Sequence, residues 1–222
     1  MTETTRRHRR ARVAVEAAPT RDERRAERRA ELLAAAVAVI RAEGPAASME
    51  DIAAAAGVTK PILYRHFGDR RGLTHAVADL YSADLFIALR DALLRPVDGR
   101  QILAGTIEAY LEFVDRDPQM YRFIVRPSEA DNGELAGAAL AEFVPRISSE
   151  VAVVLGERMR QLGLDSGPAE PWAYGIVGMV HQAADWWVDR RPMPRERLAE
   201  YLTTLLWGGL AGAGLDVPVT TS

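Results

Sequence analysis

Ser48-Met49-Glu50-Asp51-Ile52-Ala53-Ala54-Ala55-Ala56-Gly57-Val58-Thr59-Lys60-Pro61-Ile62-Leu63-Tyr64-Arg65-His66-Phe67-Gly68-Asp69-Arg70 reads as two short helices on either side of a tight turn. Ser48 stands three residues before Asp51, the spacing of a reciprocal N-cap. Gly57 ends the first helix where the backbone needs a positive φ. Thr59 is placed to cap the second, and Pro61 falls in its first turn, where a missing N–H is harmless. Ala53 is small enough to sit at a close helix crossing, and Val58 with Ile52 can plug the gap beneath it. Leu63 and Phe67, four apart, give the second helix a buried edge. Asp69 then opens a much longer helix, from Arg70 to about Leu94.

The rest of the chain predicts helices as well. Apolar residues recur at spacings of three and four, and no segment alternates like a strand. Thr20 with Glu23 opens a helix over about 22–43, which Gly44-Pro45 stops. Further helices are expected over about 98–116, 118–125, 134–162 (interrupted or kinked at Pro145), 172–189 and 194–211, with a Gly/Pro/Ser-rich linker at 163–171. Nine helices and no sheet is the expected count.

The 222 residues contain no cysteine, which excludes disulfides, thiolate metal sites and cysteine nucleophiles. The four histidines, His8, His66, His75 and His181, are too scattered to suggest a metal cage. No run approaches ~18 consecutive apolar residues, so no membrane span is expected, and the basic start lacks a secretory core. A cytoplasmic protein is therefore expected. The formal charge of −3 is unevenly spread: residues 1–74 hold 15 basic against 10 acidic side chains, and residues 75–222 hold 13 against 21. A basic third on an acidic remainder suggests an anionic partner met at one end. Lys60 is the only lysine, so nearly all of the positive charge is arginine.

Two short helices around a three-to-four-residue turn, in the basic third of a chain, are the elements of a helix-turn-helix. The run from Ala-Gly-Val-Thr at 56–59 to Leu-Tyr-Arg-His-Phe at 63–67, with Arg70 three residues on, resembles the tetracycline-repressor (TetR) family of regulators. The motif-level resemblance covers about 28–77; beyond it, the likeness is one of helical architecture. It implies an all-α chain in which an N-terminal three-helix DNA-binding domain is joined by a long helix to a C-terminal bundle for ligand binding and dimerisation. The expected divisions are a disordered basic arm (1–21), the helix-turn-helix domain (22–75) and the ligand-binding and dimerisation domain (76–222).

By position, the resemblance implies that Ser48 caps the second helix and reaches a phosphate. Thr59, Lys60, Pro61 and Ile62 lie nearest the base edges, Tyr64 and His66 clamp phosphates beside Arg65, and Arg70 grips the DNA backbone. Glu50 departs from the family pattern, since an acid there repels phosphate unless it accepts from cytosine N4. The bland readings are a protein-binding helix for Tyr64 and His66 and a plain surface cation for Arg70. The arm arginines Arg6, Arg7, Arg9, Arg10 and Arg12 are solvated or reach a minor groove.

A ligand pocket, also implied by the resemblance, has apolar and aromatic candidates in Leu80, Phe86, Ile102, Tyr110, Phe113, Phe123, Ile176, Met179 and Trp186, with His181 among them; the same stripe also suits an ordinary core. His181, Gln182 and Asp185 face either the pocket or a dimer interface. Leu198, Leu202, Leu205, Leu206 and Trp207, followed by Gly208-Gly209, suit helix packing between two chains, with Gly175 and Gly178 on the preceding helix. The expected function is ligand-responsive regulation of transcription, as a repressor on a palindromic operator, with double-stranded DNA, a small apolar effector and a second copy as partners and no cofactor. A helical protein-interaction adaptor and an enzyme on a helical scaffold are the competing readings. For the enzyme there is no phosphate loop, no G-x-S-x-G elbow and no paired carboxylate spacing.

Overall fold

The computed structural model describes residues 20–95, 97–125 and 136–215, the side chains of 136–143 and 215 excepted. These residues form nine α-helices and no strand. Helix α1 (Arg21–Glu43) opens on a reciprocal cap, with the Thr20 hydroxyl accepting from Glu23 N–H and the Glu23 carboxylate from Thr20 N–H. It stops at Gly44, whose φ of 62° suits glycine. A Cβ there would also strike Gln119, so the linker lies against a later helix. A 3-10 turn (Gly44–Ala46) leads into α2 (Met49–Ala55), which Ser48 and Asp51 cap reciprocally as the spacing predicts.

Helix α3 (Lys60–Phe67) follows the Gly57 turn, and α4 (Arg70–Leu93) opens where the Asp69 carboxylate accepts from Gly72 N–H. Helices α5 (Gly99–Arg116), α6 (Pro118–Val125), α7 (Ala136–Gln161), α8 (Ala169–Arg190) and α9 (Arg195–Leu210) complete the chain, with a π turn over Ala211–Leu215. Pro145 sits inside α7 without ending it. Helix α8 begins three residues earlier than expected, because Pro171 occupies its first turn, where the chain has no hydrogen bond to lose. The expected break at Arg126-Pro127 and the basic arm lie outside the described residues, apart from Thr20 and Arg21.

The core is continuous from head to bundle. Leu32, Ile40, Ile52, Leu63, Leu73 and Val77 are buried beneath α1–α4, and Leu85, Leu111, Tyr121 and Trp187 extend the same cluster into the bundle. Helix α6 is the bridge, lying against α1, the 3-10 turn and α4. Farther out, α7 packs along α8, and α5 along α4 and α9. Helix α4 therefore touches both the short helices and the bundle, and at ~1.5 Å per residue its 24 residues make a rod of about 36 Å.

Candidate nucleic-acid interface and ligand cavity

The turn between α2 and α3 closes as the sequence requires. Gly57 takes φ 63°, Val58 N–H donates to Ala53 O at 2.9 Å, and Ala53 is buried at the crossing. Leu63 and Phe67 are buried, which fixes the rotation of α3 and turns its opposite side outward. Thr59, Pro61, Tyr64 and Arg65 are exposed there, and Lys60, Ile62 and His66 are half-exposed. Thr59 holds the N-cap position without the expected side-chain hydrogen bond. Ser48 is half-buried, its hydroxyl already engaged with Asp51. Lys60 forms an ion pair with Glu50, so the acid that departs from the family pattern holds the lone lysine of the exposed face.

Arg70 differs from its expected role. The residue is 9% exposed, and its guanidinium donates to the carbonyls of Ala47 and Pro45 and lies 5.3 Å from the centre of the Phe123 ring. It ties the start of α4 to the α1–α2 linker and to α6, and so faces the core where the sequence suggested a grip on DNA. The placement depends on carbonyls and a ring distant in sequence, which helical spacing does not reveal. His66 Nδ1 is buried without a hydrogen-bond partner. Burial, with the charges of Arg65, Arg25, Arg28 and Arg29, pushes the imidazole pKa below its ordinary value.

A second site lies within the bundle. A cavity of about 120 Å³ is walled by Leu89 and Leu93 of α4, Ile102 to Tyr110 of α5, Ile147 to Arg158 of α7, Ile176 to Val180 of α8, and Trp207 and Leu210 of α9. Among the sequence candidates Ile102, Tyr110 and Ile176 line it. Leu80, Met179 and Trp186 do not: all three are exposed, on the outward sides of α4 and α8. Phe86 lies beneath the Arg146 guanidinium, Phe113 packs against Tyr81, and Phe123 stacks under Arg70. Trp207, expected at an interface between chains, is part of the cavity wall. The α7 wall was missed, although Ile147, Val151, Val154, Leu155 and Arg158 recur at spacings of three and four.

His181 stands behind the cavity wall, with Nδ1 2.8 Å from the Tyr110 hydroxyl and 3.4 Å from that of Tyr121. Burial lowers the His181 pKa, while Asp185 one turn on opposes the shift. Burial also raises the Tyr110 pKa well above its ordinary value, so this phenol stays protonated. A protonated phenol beside a neutral imidazole is the pairing in which Tyr110 donates and Nδ1 accepts. Gln182 is exposed on the outer side of α8. Among the described residues no group of three His, Asp or Glu side chains could hold a metal ion, and no helix is long and apolar enough to cross a membrane.

Comparison with known proteins matches both regions. The family described as "Bacterial regulatory proteins, tetR family" matches residues 32–77, and "Tetracyclin repressor-like, C-terminal domain" matches residues 88–219. An uncharacterized HTH-type transcriptional regulator of Mycobacterium tuberculosis is 37% identical over 187 residues, covering 84% of this chain and 78% of the relative. The HTH-type transcriptional activator FasR of Mycolicibacterium smegmatis is 33% identical over 206 residues, covering 89% of this chain and 88% of FasR. Among solved structures, a TetR-family transcriptional regulator from Pectobacterium atrosepticum superposes with a TM-score of 0.67 at 26% identity, covering 90% of this chain and 100% of that one.

Proposed function

The chain belongs to the TetR family of DNA-binding transcriptional regulators, and we propose that it works in the cytoplasm as a homodimeric repressor released by a small apolar effector. The observation that carries the DNA-binding half is the α3 surface. Leu63 and Phe67 are buried, while Lys60, Pro61, Tyr64 and Arg65 are left facing outward on a helix of major-groove size. Thr59 and Ile62 flank them at the helix start, and Ser48 and His66 border the same surface.

Dimerisation is supported by an uncovered apolar face on α8 and α9. Tyr174, Met179 and Trp186 are exposed on α8, with Tyr201 and Leu205 on α9, and Leu205 is 64% exposed. Gly175, Gly178, Gly208 and Gly209 have open space where a Cβ would lie, which lets a second pair of helices approach closely. A dimer about a two-fold axis through this face would match a palindromic operator provided its two α3 helices lie about one DNA turn (~34–36 Å) apart.

The effector half is supported by the cavity. Ile102 to Tyr110 rises about 12 Å along α5, and Ile147 to Arg158 about 16 Å along α7, so the space is elongated. Its walls are apolar except for Thr106, the Tyr110 phenol and Arg158, which suits an extended hydrocarbon with one polar group. Leu89 and Leu93, near the end of α4, form part of the wall, while Arg70 anchors the other end of that helix to the head. A ligand that shifts the α4 end tilts the head, provided it binds the two orientations with different affinity.

The name of FasR supports a second reading, activation in place of repression, for this chain. In vitro transcription from the chain's own upstream region separates the two: repression lowers transcript and an apolar effector restores it. Sedimentation of the free protein as a dimer and mass spectrometry of gently denatured protein test the remaining parts. A monomer that binds DNA as tightly as a dimer contradicts the symmetric arrangement.

A further inference from the structure

Residues 20–31 are exposed throughout, so α1 runs about three turns before its first buried side chain, Leu32. A helix segment with no buried side needs an explanation other than packing. Its charges are sorted by face. At about 100° per residue, the five arginines 21, 24, 25, 28 and 29 fall within an arc of about 140°. Asp22, Glu23, Glu27 and Glu31 occupy the remainder. The arginine side is turned toward the end of α3. The Arg29 guanidinium lies 4.9 Å from the centre of the Phe67 ring, and Arg25, Arg28 and Arg29 all act on His66.

We propose that this arginine face is a second DNA contact, which binds the sugar-phosphate backbone flanking the bases read by α3. The proposal rests on the DNA-binding reading of α3 given above. From Arg21 to Arg29 the helix rises about 12 Å, which along the duplex axis corresponds to about three phosphates of one strand at ~3.4 Å each. Contacts of this kind position the protein and lengthen its footprint without reading sequence. The acidic side chains hold the complementary arc, with Glu31 at its border paired to Arg28, so the segment offers a polyanion one predominantly basic face.

The test uses a duplex that the full chain selects from a random-sequence pool, prepared with and without ten-base-pair flanks, and follows binding by fluorescence anisotropy across a salt series. The wild type should bind the flanked duplex at least tenfold more tightly. Arg21→Gln/Arg25→Gln/Arg28→Gln should abolish that gain. Six arginines per dimer at ~0.9 per phosphate would lower the salt slope by as much as ~5. The acidic-face variant Asp22→Asn/Glu27→Gln should leave flank dependence and slope unchanged. An arginine variant that keeps both overturns the proposal, as does an acidic-face variant that shifts the slope equally. A wild type that binds no duplex overturns the DNA-binding reading itself and this proposal with it.

Discussion

Replacing Arg70 with methionine tests how the head is joined to the bundle. The residue is 9% exposed, and its guanidinium donates to two carbonyls, the bond to Pro45 O measuring 3.2 Å. Hydrogen bonds from a charged group contribute about 1.5–3 kcal/mol each, and a cation over an aromatic ring adds about 0.5–2 kcal/mol. Methionine keeps the stem's apolar contacts but leaves the Ala47 and Pro45 carbonyls without this donor. Water reaching the partly exposed Pro45 side offsets part of the loss, so a cost of about 3 kcal/mol is expected. For a chain of this length that corresponds to a fall in Tm of roughly 6–12 °C, read by circular dichroism. Anisotropy below the new transition should show an unchanged salt slope for DNA binding, because the side chain points inward. An unchanged Tm together with a slope lowered by about 2, one phosphate per protomer, would refute this assignment and restore the phosphate grip.

Glu50→Gln should free Lys60 and remove a repelling carboxylate, tightening DNA binding severalfold with little change in Tm, since the pair is at the surface; equal or weaker binding would contradict this placement of Glu50. His181 has a lowered pKa when folded, so the unfolded chain takes up the proton first. Stability should therefore fall as pH drops below about 6.5 and level off once the folded imidazole is also protonated. His181→Gln should remove that component of the pH dependence in urea titrations, and an identical pH profile would show that another group carries it. Val177→Phe should fill the cavity, leave DNA binding intact and abolish the response to an apolar effector; a variant that still releases DNA on effector addition places the effector elsewhere.

The parts of the fold legible in the sequence are those set by near neighbours. Thr20 with Glu23, Ser48 with Asp51, and Gly57 before Val58 act over three or four residues, and each forms as its spacing predicts. The exposed side of α3 follows from Leu63 and Phe67 in the same way. Contacts between distant segments were less visible. Arg70 faces Phe123 across 53 residues of sequence, and nothing in its own helix indicates that the ring lies on its inner side. Leu205 and Trp207 are both apolar and only two residues apart, yet the first is exposed and the second lines the cavity. Hydrophobicity marks a residue for some contact, and helical phase separates the two, but only packing says which face meets the cavity. Met179 and Trp186 show the same: only about 60° and 80° round α8 from Ile176, they are exposed where Ile176 lines the cavity.

The central claim is that α3 lies in the DNA major groove, and it is tested most directly by hydroxyl-radical and dimethyl-sulfate footprinting of the protein on its own upstream region, wild type beside Lys60→Ala/Tyr64→Phe. The account predicts two protected major-groove patches about one helical turn apart, both lost in the double variant while its melting curve stays close to that of the wild type. Equal protection by the variant, or protection confined to the minor groove, would contradict it.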